Sequence, residues 1–143
     1  MKSIIVTLLL AVSSSSAFAE GGMGTRGGSD GLRLKLNQAR SLALGALKRV
    51  TAERLVSRDP VIHEFYLKNH QQLLEEVMQS TIVVRPKKEV VALIAGTPRE
   101  VLSITGFYPL SDILVSEPLA EASSLEVLSG LLIHEAGHHT GHR

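Results

Sequence analysis

Ser123-Ser124-Leu125-Glu126-Val127-Leu128-Ser129-Gly130-Leu131-Leu132-Ile133-His134-Glu135-Ala136-Gly137-His138 is the stretch that decides the fold. Ser123 with Glu126 three residues on predicts a capping box at the start of a helix. Leu125, Leu128, Leu131 and Leu132 recur at spacings of three and four and form an apolar face, with Ile133 beside it. Gly141 is placed to end the helix. A helix turns about 100° per residue, so His134 and His138 leave one face roughly 6 Å apart along the axis. Two imidazoles so placed can close on one ion. Zinc takes imidazole nitrogens at about 2.0–2.1 Å and leaves positions for a third ligand and a water. Glu135 lies beside the first histidine, where a carboxylate can serve as general base. Two histidines and a carboxylate are costly to bury unpaired among apolar neighbours, and a bound metal removes that cost.

Working upstream, the periodicity shortens. Thr81 to Arg85 and Glu89 to Ala95 are β-branched-rich runs split by Pro86, and Gly96-Thr97-Pro98 ends the second. They predict two short strands, antiparallel to each other. Glu100 to Ile104 reads as a further short element. Thr105 to Pro118, with Gly106, Pro109 and Pro118, reads as an irregular connection around Phe107-Tyr108-Pro109. Further upstream the period lengthens again. Val61 to Ser80 predicts a helix with Ile62, Phe65, Tyr66, Leu73 and Val77 inward, and Pro60 separates it from an earlier one. That earlier helix runs from Leu32 to about Arg58, with Leu32, Leu36, Ala39, Ala43, Ala46, Leu47 and Val50 in phase and Asp30 or Ser29 as cap. Its basic residues, Arg33, Lys35, Arg40, Lys48, Arg49, Arg54 and Arg58, read as a solvated face. The expected fold is therefore α+β: N-terminal helices, a small mostly antiparallel sheet, and a C-terminal helix carrying the site.

The N-terminus has a different logic. Lys2, the apolar stretch Ile4 to Val12, the serines Ser13 to Ser16 and Ala17-Phe18-Ala19 follow the order of a cleaved export signal. Residues 1–19 are expected to be a signal peptide cut after Ala19, residues 20–31 a flexible Gly-rich arm, and residues 32–143 a single domain in the periplasm or outside the cell. The chain has no cysteine, so neither a disulfide framework nor a lipid-modified cysteine is available. Lys2 is the one charged residue of the leader, and its removal leaves equal numbers of basic and acidic residues. That balance gives no basis for a nucleic-acid partner or for a charged membrane surface after signal cleavage. No second apolar run of spanning length occurs.

His134-Glu135-Ala136-Gly137-His138 resembles the HExxH helix of zincin metallopeptidases, and Leu131 to Thr140 carries no formal charge outside that motif. The resemblance implies a zinc-dependent peptidase with a helical backbone and a small sheet whose edge strand pairs with the substrate. His134 and His138 would ligate Zn2+, and Glu135 would activate a water for attack on the peptide bond. In metzincins the motif lengthens to HExxHxxGxxH. Gly141 supplies that glycine, and the closing histidine of the pattern falls one position past Arg143. His142, folded back by a break at Gly141, is the local candidate for third ligand. His139 lies about 100° around the helix from His138 and suits that role less well. His63 and His70, on one stripe of the second helix with Leu67 and Leu74, read as partly buried structural histidines. Glu64 and Glu76 read as solvated, and Tyr108 as a turn tyrosine or an oxyanion donor.

The expected function is an exported zinc-dependent hydrolase acting on a peptide or protein substrate. The other reading is a non-catalytic zinc-binding secreted protein, since four of the six histidines fall in the last ten residues. Glu135 separates the two, because a simple metal holder has no need of a carboxylate between its ligands.

Overall fold

A computed structural model of the chain describes residues 24–49, 59–86 and 88–140. The expected signal peptide and His142 lie outside those residues. The described elements run β1 (Thr25–Arg26), α1 (Asp30–Arg49), α2 (Pro60–Gln79), β2 (Ile82–Arg85), β3 (Val91–Ile94), β4 (Thr97–Glu100), β5 (Ser103–Thr105), β6 (Ile113–Ser116), α3 (Glu117–Glu121) and α4 (Leu125–His139). The class is α+β.

Local chemistry sets the helix starts. Ser29 caps α1, its Oγ accepting from Leu32 N at 3.1 Å. Asp59 caps α2 through Val61 N at 2.9 Å, and Pro60 follows in the first turn, where a missing N–H costs nothing. Helix α4 begins one residue later than the capping box predicts. Ser124 Oγ accepts from Val127 N at 3.2 Å, while Ser123 Oγ donates to Leu119 O and closes α3. With Ser124 as cap, Glu126 falls at the second helical position and stays exposed.

The four-stranded sheet has the order β1-β2-β6-β5. β1 and β6 flank β2 in parallel, and β5 runs antiparallel to β6 at the edge. β3 and β4 form a separate antiparallel hairpin that turns through Ala95 and Gly96, both at positive φ. The expectation that Thr81–Arg85 pairs with Glu89–Ala95 is thus corrected: both runs are strands, but they belong to different sheets. Alternation says which face a strand buries and not which strand lies beside it. The expected loop from Thr105 to Pro118 likewise contains β6, whose Ile113 and Val115 are buried.

The Gly-rich arm is also corrected over its described part. Thr25 and Arg26 pair with Ile82 and Val83, and Gly27 and Gly28 then turn at φ +75° and +71° against Val84. A Cβ on Gly27 would lie 2.6 Å from the Val84 carbonyl oxygen. Gly27→Ala is expected to destabilise the domain by roughly 1–3 kcal/mol, through left-handed strain and that collision. Urea denaturation of the variant beside wild type checks this, and an unchanged midpoint contradicts it.

Helices α1 and α4, with Ala120 of α3, cover one face of the sheet. Ile82, Val84, Ile113 and Val115 pack with Leu32, Leu36 and Ala39 of α1 and with Leu128 and Leu132 of α4. The far half of α1 packs Ala43, Leu44 and Leu47 against Tyr66, Leu73 and Val77 of α2 and Ile133 and Ala136 of α4. Helix α4 is thereby pinned between sheet and helices along its length. Not all of the basic face of α1 is solvated: Arg40 is buried, its Nη1 donating to Met78 O at 3.0 Å, and burial lowers its pKa. No helix among the described residues is long and apolar enough to cross a membrane.

Tyr66 is fully buried, and burial pushes its phenol well above the usual range. The fold therefore holds the neutral phenol, whereas an unfolded tyrosine ionises near pH ~10. Its contribution is intact below about pH 10 and is lost as pH rises beyond it. Unfolding midpoints between about pH 8 and 11 are expected to fall more steeply for wild type than for Tyr66→Phe. Parallel curves contradict this.

Candidate metal centre

Helix α4 presents two stripes to two different surroundings. One stripe carries His134 and His138, both half-buried. Their ring planes are at 90° with centroids 4.8 Å apart, and the two Nε2 atoms converge to 3.2 Å. Two nitrogens bound to one tetrahedral zinc at about 2.0–2.1 Å are about 3.3 Å apart. The donor pair thus has the nitrogen separation of two ligands on one zinc, and that same separation is a hydrogen bond between the two rings when one Nε2 carries a proton. Phe107, from the turn after β5, meets the His138 ring edge-on at a centroid distance of 5.2 Å.

The second stripe carries Glu135 and His139, and it lies along β5. Four helical residues rise about 6 Å, and two strand residues rise about 6.6 Å. The pairs Glu135/His139 and Ser103/Thr105 are therefore commensurate, and each helix residue meets one strand hydroxyl. Glu135 is 5% exposed, and its Oε1 accepts from Ser103 Oγ at 2.5 Å. Glu135 Oε2 takes no hydrogen bond among the described residues. His139 Nε2 meets Thr105 Oγ1 at 2.6 Å, and its Nδ1 meets Glu76 Oε2 at 2.8 Å.

Glu76 is a correction. Expected in solvent, it is 3% exposed, and its Oε2 also accepts from Ser80 Oγ and from Leu110 N at 2.9 Å. It stands on the same inward stripe of α2 as Leu73 and Val77, and its polar partners repay the burial. This knot ties the ends of α2 and α4 to β5 and to the turn that carries Phe107.

The remaining candidates go elsewhere. His70 Nε2 is bonded to Leu47 O at 2.5 Å and its ring packs against Tyr66, a structural use. His63 is half-buried on the same helix. Tyr108 is 65% exposed on the turn after β5. Among the described residues no group of three His, Cys, Asp or Glu side chains converges, and His142, the expected third ligand, lies outside them.

Ser103, Thr105 and Glu76 are the site residues that the sequence reading passed over. The four-residue interval between Glu135 and His139 was a signal for a second stripe, but its partners are 32 or more positions away in the chain. No family model, curated protein or solved structure matches this chain.

Proposed function

We propose that the chain is an exported zinc-dependent peptidase, with His134 and His138 holding the ion and Glu135 acting as general base. The observation that carries this reading is the approach of the two Nε2 atoms to 3.2 Å, with the carboxylate-bearing Glu135 next to His134 in the chain. Bound zinc would polarise the carbonyl under attack and make water a better nucleophile at neutral pH. His142 is the proposed third ligand.

The chain's own groups supply the rest. Ser103 fixes Glu135 through Oε1, which leaves Oε2 to accept the proton of the attacking water. As the C–N bond breaks, Glu135 returns that proton to the leaving amine nitrogen. β5 is the edge strand of the four-stranded sheet and has no ladder partner on its outer side among the described residues, so it is the strand that an extended peptide would join by strand addition. A peptide paired there would run beside Ser103 and hence beside Glu135.

A non-catalytic zinc-binding protein is the second reading. The Ser103–Glu135 bond favours it, because it gives the carboxylate a structural use as a tie between α4 and β5. The two separate in one assay: incubation of purified protein with an unfolded polypeptide, read by mass spectrometry, before and after zinc chelation. The peptidase reading expects cleavage that chelation abolishes and added zinc restores. Zinc in the protein with no cleavage selects the second reading.

A further inference from the structure

The face of β5 turned away from α4 carries a concavity of about 340 Å³, lined by Ile104, Thr105, Gly106, Tyr108, Asp112 and Leu114. Its floor follows from strand alternation. Ser103 and Thr105 point to α4, so Ile104 between them points to the opposite face, where its register partner is Leu114 of β6.

The wall is held in place. Gly106 has no Cβ, and one built there would lie 2.7 Å from the Tyr108 ring and 2.5 Å from Ser111 Oγ, so the ring lies directly on the Gly106 backbone. Tyr108 O accepts from Ser111 N and from Ser111 Oγ at 3.0 Å. Leu110, at φ +58°, is anchored through its N–H to buried Glu76. The tyrosine ring is therefore exposed yet fixed. Asp112 is exposed at the rim with its main-chain oxygen tied to Thr105 Oγ1, and no basic side chain pairs with its carboxylate among the described residues.

An aliphatic floor, an aromatic wall and an anionic rim together suit one kind of side chain: a long apolar stem ending in a cation. The volume is at the small end for ligand pockets and suits a side chain better than a cofactor. A peptide added to the edge of β5 turns alternate side chains toward α4 and toward this pocket.

We infer that the pocket binds a lysine or arginine side chain of an extended peptide lying on β5, and so selects basic segments as substrate. The inference rests on the peptidase reading for the peptide's presence, and on Asp112, Tyr108 and the Ile104–Leu114 floor for its charge. Tyr108 is then a specificity residue, in place of the oxyanion donor considered from sequence.

The test uses labelled peptides that are identical except for one central residue, arginine, norleucine or glutamate. Binding is read by fluorescence anisotropy on zinc-loaded Glu135→Gln protein, and hydrolysis on wild type. The arginine peptide is expected to bind about tenfold tighter than the norleucine peptide, with glutamate weakest. Asp112→Lys is expected to invert the arginine–glutamate order. Tyr108→Ala is expected to weaken arginine more than norleucine. Equal binding of all three peptides, no binding of any, or an order unchanged in Asp112→Lys overturns the inference. Hydrolysis without charge preference would sink the pocket and leave the peptidase standing. An Asp112-dependent binding order without hydrolysis would support the pocket and sink the peptidase.

Discussion

Glu135→Gln is expected to bind zinc as wild type does and to lose about 10²–10⁴-fold in kcat, the usual contribution of a general base. The amide keeps the size of the carboxylate and can still accept from Ser103 Oγ, so the contact between α4 and β5 survives. What it cannot do is take a proton at Oε2. His134 and His138 lie on the other stripe of the helix and are not displaced. Stoichiometric zinc with kcat reduced in this way assigns the base. Full hydrolysis by this variant removes Glu135 from the chemistry, whatever else holds.

The second large effect is on the metal. His134→Ala and His138→Ala are each expected to lower zinc affinity by well over about 100-fold, because even partners outside the ligand shell contribute about 10–100-fold. Each change removes one of two nitrogens that stand 3.2 Å apart, and a lone imidazole on a helix is a weak ligand. Both rings are half-buried and neither belongs to an apolar core cluster, so the variants are expected to stay folded by circular dichroism. His138→Ala also removes the edge contact with Phe107, so its turn is expected to loosen where that of His134→Ala does not. Competition against a colorimetric zinc chelator gives the affinities. Wild-type affinity in either variant would show that the pair does not form the site.

The three long helices were legible because each carries its own punctuation, whereas the short α3 was not read. Asp59-Pro60 begins α2, and apolar residues three and four apart give both α2 and α4 their inward faces. The His134/His138 pair was legible for the same reason, since a four-residue interval fixes direction locally. Sheet pairing was not. Ile82–Arg85 and Ile113–Ser116 are adjacent parallel strands that β3, β4 and β5 separate in the chain, and no turn residue encodes such a pairing. Gly106 and Pro109 drew attention to a loop and hid β6 directly after it. Burial of Glu76 was half legible. It was read as solvated; its phase with Leu73 and Val77 was the signal available for burial, but the partner that makes burial tolerable, His139, is 63 positions away. Gly27 and Gly28 read as flexibility by composition, whereas the fold uses their positive φ against Val84.

The proposed function depends on a zinc ion held by the two histidines of α4. Zinc-edge X-ray absorption of the purified protein tests this most directly. The account predicts one zinc per chain with at least two imidazole nitrogens at about 2.0–2.1 Å and loss of one imidazole shell in His138→Ala. Protein that takes up no zinc, or zinc whose spectrum shows no imidazole scattering and does not change in His138→Ala, would contradict it.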